Sequence, residues 1–159
     1  AHLATDHASS VSVVDHALEQ MEREQLTFDW VVLLQPTSPL RTATHIAEAF
    51  DLIKQKNARG VVSLRKNRHP IEWSAPLDDT GFMDKFFERT NLSIPSHTAN
   101  PTYTINGALY IARVDDFREH NTFFLSTGVI GYVMNTPDSV DIDTELDFEE
   151  AVFFMSRKK

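Results

Sequence analysis

The chain has 159 residues, 42% hydrophobic and 24% charged, with five glycines and seven prolines, which describes one globular domain able to bury roughly 70% of its unfolded surface and excludes collagen-like or disordered chains. The absence of cysteine excludes a disulfide framework, a thiolate zinc site and a thiol nucleophile, and fits a reducing compartment. A formal charge of −8 argues against nucleic acid as a partner, and no apolar run exceeds five residues, as in Trp30–Leu34, so no membrane span is expected; the start carries no secretion signal, and the chain reads as soluble and cytoplasmic.

Val14, Ala17, Leu18 and Met21 recur at helical spacing, and Ser12 with Asp15 resembles a capping box, so a helix is expected over about residues 11–25. Phe28–Leu34 reads as a strand buried on both faces, ended by the turn-rich Gln35-Pro36-Thr37-Ser38-Pro39. Ile46, Ala49, Phe50 and Ile53 predict a helix over 43–56, and Gly60–Leu64 another strand. This alternation predicts an α/β fold, a layered and mostly parallel sheet flanked by helices. Residues 66–105 break the rhythm, with Pro70, Pro76, Gly81 and Pro95, and read as an arm with short elements of its own. Trp73, Phe82, Phe86 and Phe87 within it predict packing against a second copy of the chain, a homodimer. Tyr103–Ala112 and Val129–Met134 are strand candidates. Thr144 with Asp147 caps a last helix whose Phe148, Ala151, Val152 and Met155 are expected to face one way, with Phe153 and Phe154 extending that surface.

Several segments have more than one reading. Gln35–Arg41 follows the carboxyl end of a strand, where open α/β sheets bind ligands, yet Pro and Ser also simply build a turn. Asp141 and Asp143 fall on one side of an extended segment, suited to a hard cation such as Mg²⁺ or to the positive end of the following helix. Asn106-Gly107 is a hairpin-turn signal, and Phe123-Phe124 reads as core. Arg65, Lys66, Arg68 and His69 form either a solvated loop or a receiver for an acidic substrate. No Walker-type loop, no G-x-G-x-x-G and no helical histidine pair at metal spacing is present.

Taken together, Leu3-Ala4-Thr5-Asp6-His7-Ala8-Ser9-Ser10, Leu33–Arg41, Asn106-Gly107-Ala108-Leu109-Tyr110-Ile111 and Asp138–Asp147 occur in the order seen in acylneuraminate cytidylyltransferases, and the chain resembles that family over residues 1 to about 155. The resemblance implies a nucleotide-diphospho-sugar transferase-like fold with a protruding dimerisation arm. It also implies transfer of CMP from CTP to the anomeric hydroxyl of a nine-carbon acidic sugar, with release of pyrophosphate. Asp141 and Asp143 would then be catalytic Mg²⁺ ligands, and Ala8 and Ser10 nucleotide contacts. Gln35, Asn106, Tyr110, Phe123 and Phe124 would line the sugar pocket. The family's lysine-bearing phosphate loop, which precedes these blocks, has no counterpart in the 159 residues. A single N-terminally truncated domain, inactive alone, is therefore expected. Ser93–Thr104 contains no arginine where the family shows one, which leaves the acyl sugar open among N-acetylneuraminate, legionaminate and relatives. The alternative is a non-catalytic domain of the same fold that binds a ligand or partner.

Overall fold

The first helix, α1 (Ser10–Arg23), starts when the Ser9 hydroxyl accepts a hydrogen bond from Ser12 N–H at 3.1 Å. The cap is thus Ser9 and not the expected Ser12–Asp15 pair, and Val11, Val14 and Leu18 are the residues that pack inward. The computed structural model describes residues 8–158, so the Leu3–His7 part of the first resemblance block lies outside the described residues. Strand β1 (Trp30–Leu33) and helix α2 (Ala43–Lys56) follow, then β2 (Gly60–Lys66). A short helix α3 (Asp84–Arg89) sits in the arm, followed by β3 (Tyr103–Arg113), α4 (Val114–His120), β4 (Val129–Met134) and α5 (Glu145–Arg157).

The four strands form one sheet in the order β1-β3-β2-β4. Pairing of β3 with both β1 and β2 is antiparallel, and only β2 and β4 pair in parallel. The α/β architecture is as expected, but the largely parallel sheet is corrected to a mixed one. The reason lies in the arm: it leaves from Lys66 and returns at Tyr103 directly opposite, so β3 must run back against β2. Asn67 N–H closes the base of the arm on the Thr102 carbonyl at 2.8 Å. Strand β1 is also corrected. It is a four-residue edge strand, half-buried throughout, with Phe28 and Leu34 exposed at its ends.

Both faces of the sheet are covered. Ala49 and Ile53 of α2 pack on Val61, Leu109, Ile111, Tyr132 and Met134. On the other face α1 and α4 pack on Val62, Tyr110 and Ala112 through Leu18, Val114 and Phe117. Helix α5 keeps its predicted Thr144–Asp147 capping box, but its inward residues are Ala151 and Phe154, against Leu40, Val140 and Ile142. Phe148, Val152 and Met155 are exposed, so the expected apolar face is rotated by about one position. No helix among the described residues is long and apolar enough to cross a membrane.

Arg59 and Asp116 join the end of α2 to α4 through a two-point ion pair, with Nε donating to Oδ2 at 3.0 Å. This hydrogen bond holds the Asp116 carboxyl below its ordinary value, and hydrogen bonds from Thr144 do the same for Asp147. A depressed carboxylate pKa gives stability that is present above the unfolded value of about 4 and is lost as pH falls through the folded value. Thermal melts are therefore expected to show a falling midpoint as pH drops below about 4. Asp116→Asn is expected to flatten that fall; parallel curves for the variant and the parent would contradict the assignment.

Candidate functional site

Three segments far apart in sequence meet beside the middle of β3. The loop after β1 is pinned by Arg41, whose Nη1 donates to the Gln35 carbonyl at 3.1 Å and the Ala108 carbonyl at 2.7 Å. The fully buried Ser38 hydroxyl donates to the Asn106 carbonyl at 3.4 Å. The segment before α5 joins through Ile142 N–H, which donates to the Thr37 carbonyl at 2.8 Å. Val140 and Ile142 face the core under α5, and in extended chain their neighbours Asp141 and Asp143 take the opposite side.

Asn106-Gly107 does not form a hairpin. It lies inside β3, where the pairing with β2 is irregular between Val62 and Leu64, and Gly107 holds φ +73°. The same dipeptide serves a bulge because both need positive φ. A Cβ on Gly107 would stand 2.6 Å from Gln35 Oε1 and 3.0 Å from Asp141 Oδ2, so the bare backbone is what lets these two side chains converge. Gly107→Ala is expected to displace both and to strain the backbone, at about 1–3 kcal/mol of stability. The measurement is a thermal melt alongside ligand binding, and an unchanged site would show that the side chains have room to move.

Asn106 is 3% exposed, and its side chain is fully committed. Oδ1 accepts from the Ser63 hydroxyl at 2.6 Å and from Ala108 N–H at 3.3 Å, while Nδ2 donates to Ser139 Oγ at 3.0 Å and faces Met134 Sδ at 3.5 Å. Tyr110 is buried, with Phe123 at 5.9 Å and Phe124 at 5.8 Å between ring centroids. Burial first, and then the charge of Asp141, push the Tyr110 phenol above its ordinary value. The phenol therefore keeps its proton at neutral pH. Phe123 packs on Phe117 at 4.8 Å and is core, whereas Phe124 is exposed. Ala8 and Ser10 sit at the start of α1 and share no hydrogen bond or ring contact with this cluster.

Asp141 Oδ1 is buried without a hydrogen-bond partner. A buried carboxylate oxygen left bare is costly, and a cation would satisfy it. No group of three or more His, Asp or Glu side chains able to hold a metal occurs among the described residues, which does not suit structural zinc. Mg²⁺ fits: it commonly takes one or two carboxylates and completes its shell with water and phosphate oxygens, and Asp143 is exposed two residues away.

The chain is 34% identical over 98% of its length to the N-acylneuraminate cytidylyltransferase of Escherichia coli. It is 31% identical over 92% to the CMP-N,N'-diacetyllegionaminic acid synthase of Legionella pneumophila. The chain is thus similar to acylneuraminate-type cytidylyltransferases over nearly all of its length. It is also 25% identical over 94% of its length to the pseudaminic acid cytidylyltransferase of Campylobacter jejuni. The chain spans 36%, 62% and 64% of the lengths of these three cytidylyltransferase relatives. No family model matches it. Ser38, Arg41 and Ser139 lie inside segments that the sequence singles out, but their roles in holding the cluster together, like that of Ser63, are not legible there, because single buried hydroxyls and a carbonyl-bound guanidinium leave no periodic signal.

Proposed function

We propose that the chain carries the sugar- and metal-binding part of a CMP-sugar synthetase. The reaction moves CMP from CTP to the anomeric hydroxyl of a nine-carbon acidic sugar of the neuraminate, legionaminate or pseudaminate class, and releases pyrophosphate. The observation that carries this reading is the bare Asp141 oxygen, set against Gln35 and the Gly107 backbone. Asp141 and Asp143 hold Mg²⁺, which when bound neutralises the charge that develops on the transferring phosphate. Gln35 offers an amide to sugar hydroxyls, the Tyr110 phenol donates a hydrogen bond, and the exposed Phe124 ring receives the acyl group. Asn106 acts by holding β3, not by touching substrate. Phosphoryl transfer depends on positioning and charge neutralisation more than on a protein nucleophile, so the absence of an activated Ser or Lys is no obstacle.

No glycine-rich phosphate loop occurs in the 159 residues, so this chain by itself is expected to bind sugar but to release pyrophosphate well below an ordinary rate of about 1 s⁻¹. The test is calorimetric titration with N-acetylneuraminate and diacetyllegionaminate, with pyrophosphate release assayed in the presence of CTP and Mg²⁺. Phe124→Ala is expected to weaken the preferred sugar about three- to tenfold, the worth of one ring contact. Failure of every such sugar to bind would favour a non-catalytic domain.

We also propose a cytoplasmic homodimer joined through the arm. Ile71, Leu77, Phe82 and Phe87 are exposed there, while the arm is tied within itself by Trp73 Nε1–H to the Ile94 carbonyl at 3.0 Å and Asn91 N–H to the Glu72 carbonyl at 2.7 Å, among other bonds. Sedimentation at tens of micromolar is expected to give a dimer, and Phe82→Asp with Phe87→Asp a monomer.

A further inference from the structure

Arg23, Lys54, Arg59, Lys85, Arg118 and Lys158 each hold a carboxylate in this acidic chain. Arg65, Lys66 and Arg68 hold none and lie within four residues of one another. All three are exposed, and among the described residues none makes a side-chain hydrogen bond, ion pair or ring contact. They line a cavity of about 590 Å³ whose other walls are Asn67, Thr136 and Glu150. A smaller cleft of about 270 Å³ continues from it past Lys66 and Arg68 to His69 and His97.

The position is one that α/β sheets use for ligands. Arg65 pairs with Met134, the last residue of β4, so the cavity opens where the two parallel strands end. By alternation Arg65 shares a face with Val61 and Ser63, the α2 side of the sheet, whereas Tyr110 lies on the opposite face with Val62. The cavity is therefore distinct from the sugar pocket. Its backbone is also fixed: Asn67 Nδ2 donates to Thr102 Oγ1 at 3.0 Å, and the Thr104 hydroxyl donates to Asn67 Oδ1 at 2.5 Å. Three like charges held together repel one another; Glu150 on the wall and Asp147, whose carboxyl feels the charge of Arg65, offset part of that charge. The cations that remain in excess suit an anion, and guanidinium forks suit phosphate oxygens.

We propose that this cavity is a binding site for a compact multivalent phosphate, of the pyrophosphate kind, gripped by Arg65, Lys66 and Arg68. The test uses the 159-residue chain in metal-free, low-salt buffer with inorganic pyrophosphate as the probe, followed by calorimetry and by fluorescence of Trp73, whose ring stacks on His69 at 6.3 Å. One saturable site with Kd below about 1 mM is expected. Arg65→Ala with Arg68→Ala should weaken it about tenfold or more, and Arg68→Ala alone, at an exposed side chain without contacts, about threefold. Citrate, which has comparable charge but no phosphate, should bind about tenfold more weakly. Excess N-acetylneuraminate should not displace the probe.

No saturation by 10-fold above that concentration, undiminished affinity in the double variant, or equal binding of citrate would overturn the proposal. Displacement by the sugar would move the anion to the Gln35–Tyr110 cluster and equally overturn it. The measurement involves no CTP, no metal and no turnover, so its failure leaves the proposed transfer reaction standing.

Discussion

Asp141→Asn is expected to abolish divalent-metal binding by this chain and, in a full-length enzyme that also carries the phosphate loop, to lower CMP transfer on the order of 10²-fold or more, the usual consequence of losing one electrostatic stabiliser of a transition state. The physical basis is the bare Oδ1 atom: an amide keeps the shape of the side chain but removes the charge that a cation requires. Stability should move differently from activity. Because no hydrogen bond to Oδ1 exists to be lost, the melting temperature is expected to stay constant or rise, as when a functional site is relieved of strain. The Tyr110 phenol supplies a third readout. Asp141 is one of the two causes that raise its pKa, so an ultraviolet titration of the variant should find Tyr110 ionising at lower pH than in the parent. Mn²⁺ titration followed by paramagnetic resonance reads the metal directly. Retained Mn²⁺ binding, or a melting temperature lowered by several degrees, would make Asp141 a structural residue.

Asn106→Leu is expected to give the largest loss of stability. The substitution is close in volume but strands the Ser63 hydroxyl, the Ala108 N–H and the Ser139 oxygen, all now bonded to the Asn106 amide inside the core. Each buried group left unpaired costs about 1–3 kcal/mol, and with partial relaxation the total is about 2–4 kcal/mol. In a domain of this size that corresponds to a fall of about 5–15 °C in the melting midpoint. The double variant with Ser63→Ala should lose less than the sum of the two single variants, with a coupling of about 1 kcal/mol or more. Additive losses would mean that the amide and the hydroxyl do not act as a unit.

The residues that decided the fold differ in how openly the sequence displays them. Helix α2 is legible because Ile46, Ala49, Phe50 and Ile53 all pack on the sheet with unbroken spacing, and the Thr144–Asp147 cap is legible because its chemistry is local. Helix α4 is two turns long with only Val114 and Phe117 as inward apolar side chains, too few for a period. The direction of β3 depends on where the arm returns, which no window of β3 itself contains. Asn106-Gly107 shows the same limit, since the dipeptide specifies positive φ but not whether the chain then folds on itself or runs along a neighbour. On α5, Phe148, Val152 and Met155 form a fair helical stripe, yet contact with Leu40 and Val140 selects Ala151 and Phe154 instead. In the site, Asp141 and Gln35 were visible as candidates, while the cluster of hydroxyls that fixes them was not, because each bond spans 33 residues or more in sequence between Ser139 and Asn106 or Ser38 and Asn106.

The interruption in β3 also governs how the gene can change in length. Directly opposed residues of paired strands share a face, and here Val62 opposes Tyr110 while Leu64 opposes Ile105. Two steps along β2 are therefore matched by five along β3. Five is odd, so an unbroken strand would turn Ile105 and Tyr110 to opposite sides; the bulge brings both to one side. Losing or gaining a single codon between them leaves an even number of steps along β3, so ordinary alternation would keep Ile105 and Tyr110 on one side without the bulge. The change would fall instead on Gly107, whose bare backbone lets Gln35 and Asp141 converge, so a one-residue gap in 105–110 is expected to spare the faces of the sheet and to damage the site.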